Sequence, residues 1–425
     1  MIDEQDLQSI REERAILVAV KFSQYEKGEV EEHLAELTEL AMTANAVVCR
    51  QLYQERSHPD RTYFIGRGKV EELAEMLDEE EANLVIFDDE LSPAQARNLQ
   101  KKLEVKVIDR TGLILDIFAQ HAQTIEAKTQ IELAQLNYLL PRLTRQWMHL
   151  SRQVGGIGTK GPGETQLETD RRLVRTRISR LKAKLKEIEG QQQVQRKNRD
   201  HLLRVALVGY TNAGKSTLMN ALTRAGVLAE DKLFATLDTR VKRMMLDEVT
   251  PVLLSDTVGF IRKLPHQVVA SFRTTLAEAR EADILLHVID ASMPFIEDRI
   301  EVVHGLLKEL KFREQTIIPV FNKVDMIDNP AQLKHLQNKF GEAVFISAQK
   351  QIGIAPLKKV LLNSIASQYA VEEIQLDYSK GPMEHLLHPW AAILESRHDE
   401  GRRYFKIKFH KNNHYRFDQI MKKFS

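Results

Sequence analysis

The chain sets two hydrophobic rhythms against each other. Short apolar runs at 15–20, 46–52, 83–87 and 105–108 have the length and density of buried strands. Between them, apolar residues recur at helical spacing over 30–44, 69–82 and 92–103, and Ser92 ahead of Pro93 supplies a helix start. Strand and helix in alternation predict a parallel sheet covered by helices, a small α/β domain over residues 1–130. Over 109–143, Ile131, Leu136, Leu139, Leu140 and Leu143 keep near-helical spacing, which predicts one long helix that ends or kinks at Pro141. Its polar residues, Gln120, His121, Gln123, Lys128, Gln130 and Gln135, are expected on a solvated face.

A capping-box pattern, Thr165-Gln166-Leu167-Glu168, opens the next helix. Its apolar residues fall at 174, 178, 181, 185 and 188, the alternating steps of a coiled-coil seam. The expected partner is the helix ending near Leu143, so 131–200 is expected to form a helical hairpin. The tip would be the stretch GGIGTKGPG at 155–163, five glycines in nine residues.

From 201 the strand rhythm resumes. Strands are expected at 203–208, 241–246, 252–255, 284–289, 317–321 and 343–346. Helices are expected at 216–224, 265–281, 296–310, 331–339 and 355–369. That order, over 201–370, predicts a mostly parallel sheet with one early hairpin. Residues 371–425 read as a small α+β domain, with exposed strands at 373–378 and 404–409 and a short helix at 417–424.

Composition adds that the chain is of ordinary globular type: 43% hydrophobic and 28% charged over 425 residues, long enough for several domains. The single Cys49 leaves no internal disulfide and points to a reducing compartment. No apolar run is long enough for a transmembrane helix. A cytoplasmic monomer is expected, with peripheral attachment to a membrane left open. Net charge is +1, but 171–204 carries twelve Lys/Arg against three Asp/Glu. A basic stalk with a glycine tip suits a polyanion such as RNA, and a solvated helix face suits the same composition. Residues 397–425 hold nine Lys/Arg against three acids, with Tyr404, Phe405, Phe409, Tyr415 and Phe417 interleaved. Those aromatics read first as the core of a small domain and second as a contact surface. Gly66-Arg67-Gly68-Lys69 reads either as an anion site at a helix start or as a plain turn.

The chemistry concentrates at 203–217, LRVALVGYTNAGKST. A strand, the spacing Gly209-x-x-x-x-Gly214-Lys215-Ser216 and a following helix make a phosphate-cradling loop over Gly209, Tyr210, Thr211, Asn212, Ala213, Gly214, Lys215, Ser216 and Thr217. The glycines let successive amides face phosphate oxygens, Lys215 adds a compact charge, and Ser216 offers a hydroxyl to Mg2+. Asp256-Thr257-Val258-Gly259 ends a strand, with Asp256 placed for Mg2+ through water and the Gly259 amide for the γ-phosphate. Thr236, in a polar loop, is the candidate hydroxyl that closes on Mg2+ when the triphosphate is present. Phe234 in the same loop joins the expected nucleotide contacts. Asn322-Lys323-Val324-Asp325 and Ser347-Ala348 follow two further strands. Asp325 can accept two guanine N–H groups that adenine lacks, Asn322 can reach the base or brace the loop, Lys323 can lie along the ring, and Ala348 can offer an amide to guanine O6. GTP or GDP is therefore expected over ATP. Lys215, Thr236 and Gly259 are the catalytic candidates. Phe260 stands where many small GTPases carry a water-orienting glutamine, so slow intrinsic hydrolysis raised by a partner is expected. Asn212 either helps hold a monovalent cation such as K+ or satisfies the loop backbone.

These motifs carry a resemblance to the HflX GTPases: GGIGTKGPGETQLETDRR at 155–172, GYTNAGKSTLMNAL at 209–222, DKLFATLDTR at 231–240, DTVGFIRKLP at 256–265 and NKVD at 322–325. FIGRGKVEEL at 64–73 and DRTGLILDIFAQHA at 109–122 match the family's N-terminal domain. The resemblance implies a ribosome-associated GTPase that docks on the large subunit and helps split stalled ribosomes under stress. It places Gly155, Gly156, Gly158, Lys160, Gly161 and Gly163 near the peptidyl-transferase centre. One departure is that Leu237-Asp238 passes directly to Thr239-Arg240, where relatives commonly carry a proline and extra residues. Two other readings remain: a helicase-like enzyme remodelling ribosomal RNA, and a signalling GTPase acting on a protein partner.

Overall fold

The computed structural model describes residues 12–23, 27–143, 166–197, 202–223, 233–234, 240–248, 250–264, 277–310, 312, 315–366, 369–377, 387, 391–399, 402–411 and 414–424. These fall into two compact units. The first is Met1–Ile188 with Asp231–Leu237 and Lys263–Phe272; the second is Glu189–Glu230, Asp238–Arg262 and Arg273–Ser425.

The first unit is built on a four-stranded parallel sheet, β1 (Arg14–Lys21), β2 (Val47–Glu55), β3 (Leu84–Phe87) and β4 (Lys106–Asp109), in the order β2-β1-β3-β4. Helices α1 (Lys27–Thr43), α2 (Arg67–Glu79) and α3 (Pro93–Leu103) make the crossovers. Ser92 caps α3, as the sequence signalled, and Gln95 completes a capping box that the sequence reading did not include. Ile16, Val18, Val85, Phe87, Leu73 and Leu99 meet in the core.

The long helix expected over 109–143 is two helices, α4 (Arg110–His121) and α5 (Ile125–Leu139). Each has its own cap. Asp109 accepts the Gly112 amide at 2.9 Å, and Thr124 accepts that of Ala127 at 3.1 Å. Ala122 turns extended between them. The expected solvated face is also corrected at Gln130, which is buried.

Helix α6 (Gln166–Lys197) turns the expected seam inward: Ile178 and Leu181 are buried and Val174, Leu185 and Ile188 half-buried. Arg177 grips Glu132 of α5 with two nitrogens at 2.6 and 2.9 Å. The glycine stretch 155–163 lies outside the described residues. Two segments from later in the chain complete this unit. The Phe234 ring stands edge-on to Phe118, centroids 4.6 Å apart, and Lys263 Nζ lies 2.6 Å from both Asp88 Oδ2 and Asp89 Oδ1.

The second unit holds a six-stranded sheet in the order β10-β9-β8-β5-β7-β6: β5 (Leu203–Gly209), β6 (Arg240–Met245), β7 (Pro251–Asp256), β8 (Ile284–Asp290), β9 (Thr316–Asn322) and β10 (Val344–Phe345). All neighbours run parallel except the β6–β7 hairpin. Its helices are α7 (Lys215–Thr223), α8 (Ala277–Arg280), α9 (Ile296–Glu309), α10 (Pro330–Lys339) and α11 (Ile354–Ala366). Of the helix expected at 265–281, residues 265–276 lie outside the described set. The helix expected to reach 369 stops at Ala366, because Tyr369 opens β11 (Tyr369–Asp377). Strands β12 (Ala391–Asp399) and β13 (Arg402–His410) complete an antiparallel sheet in the order β11-β13-β12, with α12 (His414–Phe424). Phe405 and Phe409 form its core, and Tyr404 and Tyr415 stay exposed. No described helix is long and apolar enough to cross a membrane.

Candidate nucleotide-binding site

Four parallel strands of the second unit end at one edge of the sheet, and each ends on a polar or glycine residue: Gly209 on β5, Asp256 on β7, Asp290 on β8 and Asn322 on β9. That carboxyl edge is where open α/β sheets bind ligands.

The loop between β5 and α7 needs its glycines. Gly209 has φ +153 and Gly214 φ +88, and a Cβ would strike the Val288 carbonyl at the first and the Asn322 amide at the second. Gly259 lies against Thr211 Cα, and a Cβ there would also crowd Lys215 Nζ. The loop is stitched to the segment after β7: Phe260 N donates to Gly209 O at 3.0 Å, and Thr211 N to Phe260 O at 2.7 Å. Phe260 is buried, so its ring packs inward. Asn212 takes a left-handed conformation at φ 58.

Lys215 is buried, with Nζ donating to the carbonyls of Tyr210 at 2.8 Å and Gly209 at 3.3 Å. Burial pulls its pKa down to about 8. Ser216 Oγ donates to Asp256 Oδ2 at 2.6 Å, and Asp256 is wholly buried. A hydroxyl and a carboxylate in contact at this position form a hard-oxygen donor set that fits Mg2+. Thr236, the third expected metal contact, lies outside the described residues. Phe234, expected among the nucleotide contacts, has its ring taken up by Phe118. Tyr210 joins the site through its backbone alone: its hydroxyl accepts the Arg262 amide at 2.9 Å, and Arg299 covers its ring.

At the base end, Asn322 braces rather than reaches. Its Nδ2 donates to Ala213 O and its Oδ1 accepts from Ala348 N, both at 2.9 Å. This corrects the expectation of a ready amide for guanine O6, since the Ser347 amide is likewise engaged, on Ile352 O. The Ser347 hydroxyl, then Lys350, hold the Asp325 carboxyl below its usual range, keeping it an acceptor. Lys323 ion-pairs with Asp290 at 2.8 Å. Asp290 was missed by sequence reading, although its place at the end of a parallel strand was available as a signal.

Two rival sites in the first unit are weaker. At Gly66–Lys69, the Gly66 amide is used by Gln54 and Lys69 by Glu72, which favours the plain turn. A cavity of about 310 Å3 is lined by Asp109, Asp116, Tyr138 and Arg142 among others. Asp109 there already accepts from Tyr138 at 2.9 Å and Arg142 at 3.0 Å, so its strongest charges are matched internally.

Comparison with known proteins finds relatives over most of the chain. Family models match 31–119 (GTP-binding GTPase N-terminal), 121–199 (GTP-binding GTPase Middle Region) and 204–323 (50S ribosome-binding GTPase). GTPase HflX of Flavobacterium psychrophilum is 47% identical over 364 residues, covering 86% of both chains. GTPase HflX of Escherichia coli is 45% identical over 385 residues, 90% of this chain and 89% of that one. Among solved structures, a GTP-binding protein from Sulfolobus solfataricus in complex with GDP is 25% identical, with a TM-score of 0.43, over 84% of this chain and 99% of that one.

Proposed function

The chain belongs to the GTPase HflX family, and from that premise we propose that it uses GTP on the large ribosomal subunit, splitting or rescuing stalled ribosomes under stress. That it is a GTPase follows from the family and its P-loop domain. The ribosome reading is carried by the outer face of α6. Arg172, Arg175, Arg180, Lys182, Lys184 and Lys186 are exposed there, while the apolar seam is turned away. A helix with that face contacts phosphates without reading bases. The adjoining stretch 155–163 is the proposed contact with ribosomal RNA in the cytoplasm.

In the site, the amides of 212–217 and the Lys215 ammonium hold the β- and γ-phosphates. Ser216 and Asp256, joined by Thr236, would hold Mg2+, which would supply neutralisation of phosphate charge. The amides of Thr236 and Gly259 position the attacking water, since Phe260 offers no polar group. Asn212 would contribute to holding a monovalent cation such as K+, supplying positive charge to the phosphates. Asp325 reads the guanine, and guanine O6 competes with Asn322 Oδ1 for the Ala348 amide.

The test is sedimentation of the protein with intact ribosomes in GDP, GTP and a non-hydrolysable GTP analogue. Conversion to subunits with protein on the large one, in the triphosphate states alone, is the expected result. No association in any state would sink the ribosome reading. Replacing KCl by NaCl in the hydrolysis assay tests the cation role, with a fall in rate expected.

A further inference from the structure

The loop between β5 and α7 runs beside the segment that follows β7. Phe260 N donates to Gly209 O at 3.0 Å and Thr211 N to Phe260 O at 2.7 Å, so Tyr210 and Phe260 form a short parallel bridge. The bridge sets Thr211 against Gly259. A Cβ added at Gly259 would lie 2.7 Å from Thr211 Cα, 2.8 Å from Thr211 Cγ2 and 2.9 Å from Lys215 Nζ. The Gly259 backbone, the Thr211 side chain and the Lys215 ammonium therefore meet at one point.

At that point the Thr211 hydroxyl is unlike its neighbours. Thr211 is 4% exposed, and its Oγ1 is buried with no hydrogen-bond partner; among the described residues no other buried hydroxyl is left so. Around it, Ser216 Oγ donates to Asp256 Oδ2 at 2.6 Å, Thr257 Oγ1 donates to Leu207 O at 2.7 Å, and Ser347 Oγ accepts from Lys350 N at 3.1 Å. A buried hydroxyl without a partner loses the hydrogen bonds that water would give it. Valine has the same shape and would pack here without that loss, and the backbone bond of Thr211 to Phe260 needs no hydroxyl. The group makes sense if its partner arrives with the ligand.

We propose that Thr211 is a further catalytic residue of GTP hydrolysis, its hydroxyl donating to a γ-phosphate oxygen and accepting from the attacking water. A hydroxyl carries one hydrogen to donate and two lone pairs to accept with, which lets it bridge those two groups. It thereby supplies the polar side chain that the buried Phe260 does not. In the step, the water oxygen bonds to the γ-phosphorus and the bond to the β–γ bridging oxygen breaks, its electron pair leaving on GDP. Both water hydrogens go to the released phosphate, and Thr211 is returned unchanged. GDP alone presents neither partner, so the hydroxyl acts on the reaction and not on the affinity for product. The inference rests on the chain being a GTPase and uses nothing of the ribosome reading.

The experiment is single-turnover hydrolysis of GTP by the full chain, in excess over GTP and without ribosomes. Beside it, a fluorescent GDP analogue gives the product affinity, and GDP with aluminium fluoride gives the affinity for a mimic of the transferring phosphoryl group. Thr211→Val is expected to slow hydrolysis by about 10- to 100-fold and to weaken the aluminium fluoride complex in step. Its GDP affinity should stay within about 2-fold of the parent's. Thr211→Ser, which keeps the hydroxyl, should return most of the rate. A folded Thr211→Val protein that hydrolyses GTP at the parent rate would overturn the proposal, as would Thr211→Ser being as slow as Thr211→Val. A fall in GDP affinity equal to the fall in rate would assign the hydroxyl to the shape of the loop instead. A loss seen in KCl and absent in NaCl would make it a cation ligand, which also overturns the proposal. Each outcome is read without ribosomes, so this inference and the ribosome reading fail separately.

Discussion

Buried charge gathers at the carboxyl ends of both parallel sheets, and the two clusters are satisfied in opposite ways. In the first unit, Asp88 follows β3 and meets Arg110 at 2.7 Å and Lys263 at 2.6 Å. Arg110 also reaches Glu36. Burial works against the Lys263 charge, but Asp88 and Asp89 outweigh it and raise its pKa. In the second unit, Lys215 is buried more deeply, its hydrogen bonds run to two neutral carbonyls, and Asp256 offsets the cost of burial only in part, so its pKa still falls. A buried charge whose counter-charge is built in serves the fold. A buried cation held by carbonyls is ready for an anion from outside. The difference separates a structural cluster from a ligand site where depth of burial alone does not.

The strongest way to break this contrast is Asp88→Ala. Leaving Arg110 and Lys263 facing a lost carboxylate should cost the first unit about 3–5 kcal/mol, read by hydrogen exchange in β1 and β3, with GDP affinity unchanged. Next comes Lys215→Ala, where the effects should exchange places: GDP affinity falls by about 100-fold or more, while thermal stability holds or rises because a desolvated charge is gone. Loss of stability in that variant would mean that Lys215 serves the fold as well.

A smaller effect sharpens the contrast through pH. With its folded pKa near 8 against 10.5 ordinarily, Lys215 binds fewer protons in the fold than in the unfolded chain between those values. Its penalty on stability is therefore full below about 8 and fades as pH rises to 10.5. A bound phosphate restores the charge, so nucleotide binding at about pH 9 should take up close to one proton. Calorimetry in buffers of different ionisation heat measures it; zero uptake would contradict a lowered Lys215 pKa. Smallest of all should be Arg177→Ala. Its two-pronged pair with Glu132 is exposed on both sides, and its removal should change stability by about 0.5 kcal/mol or less in a denaturant melt.

Much of the second unit's nucleotide edge was legible in the sequence because its parts are short, local and tied to strand ends. The α6 seam was legible for a similar reason: apolar spacing alone selected Ile178 and Leu181. What escaped depended on partners far along the chain. The break between α4 and α5 hides because Thr124 caps without disturbing the apolar spacing on either side. Strand β12 hides because its register shifts between Ile393 and Glu395, so inward and outward positions exchange part-way and the alternation cancels. The use of the Ala348 amide by Asn322, 26 residues away, has no local signature at all.

The make-up of the first unit also bears on how the chain comes off the ribosome that makes it. Its sheet is complete at Asp109 and its main run closes at Ile188, yet Phe118 and Asp88 take partners, Phe234 and Lys263, that are still unmade at that point. At roughly 5–20 residues per second, the stretch from 188 to 263 takes ~4–15 s to synthesise. For that interval the nascent unit lacks the Phe234 ring beside Phe118 and the Lys263 ammonium beside Asp88 and Asp89, so these contacts are the last that the unit can make.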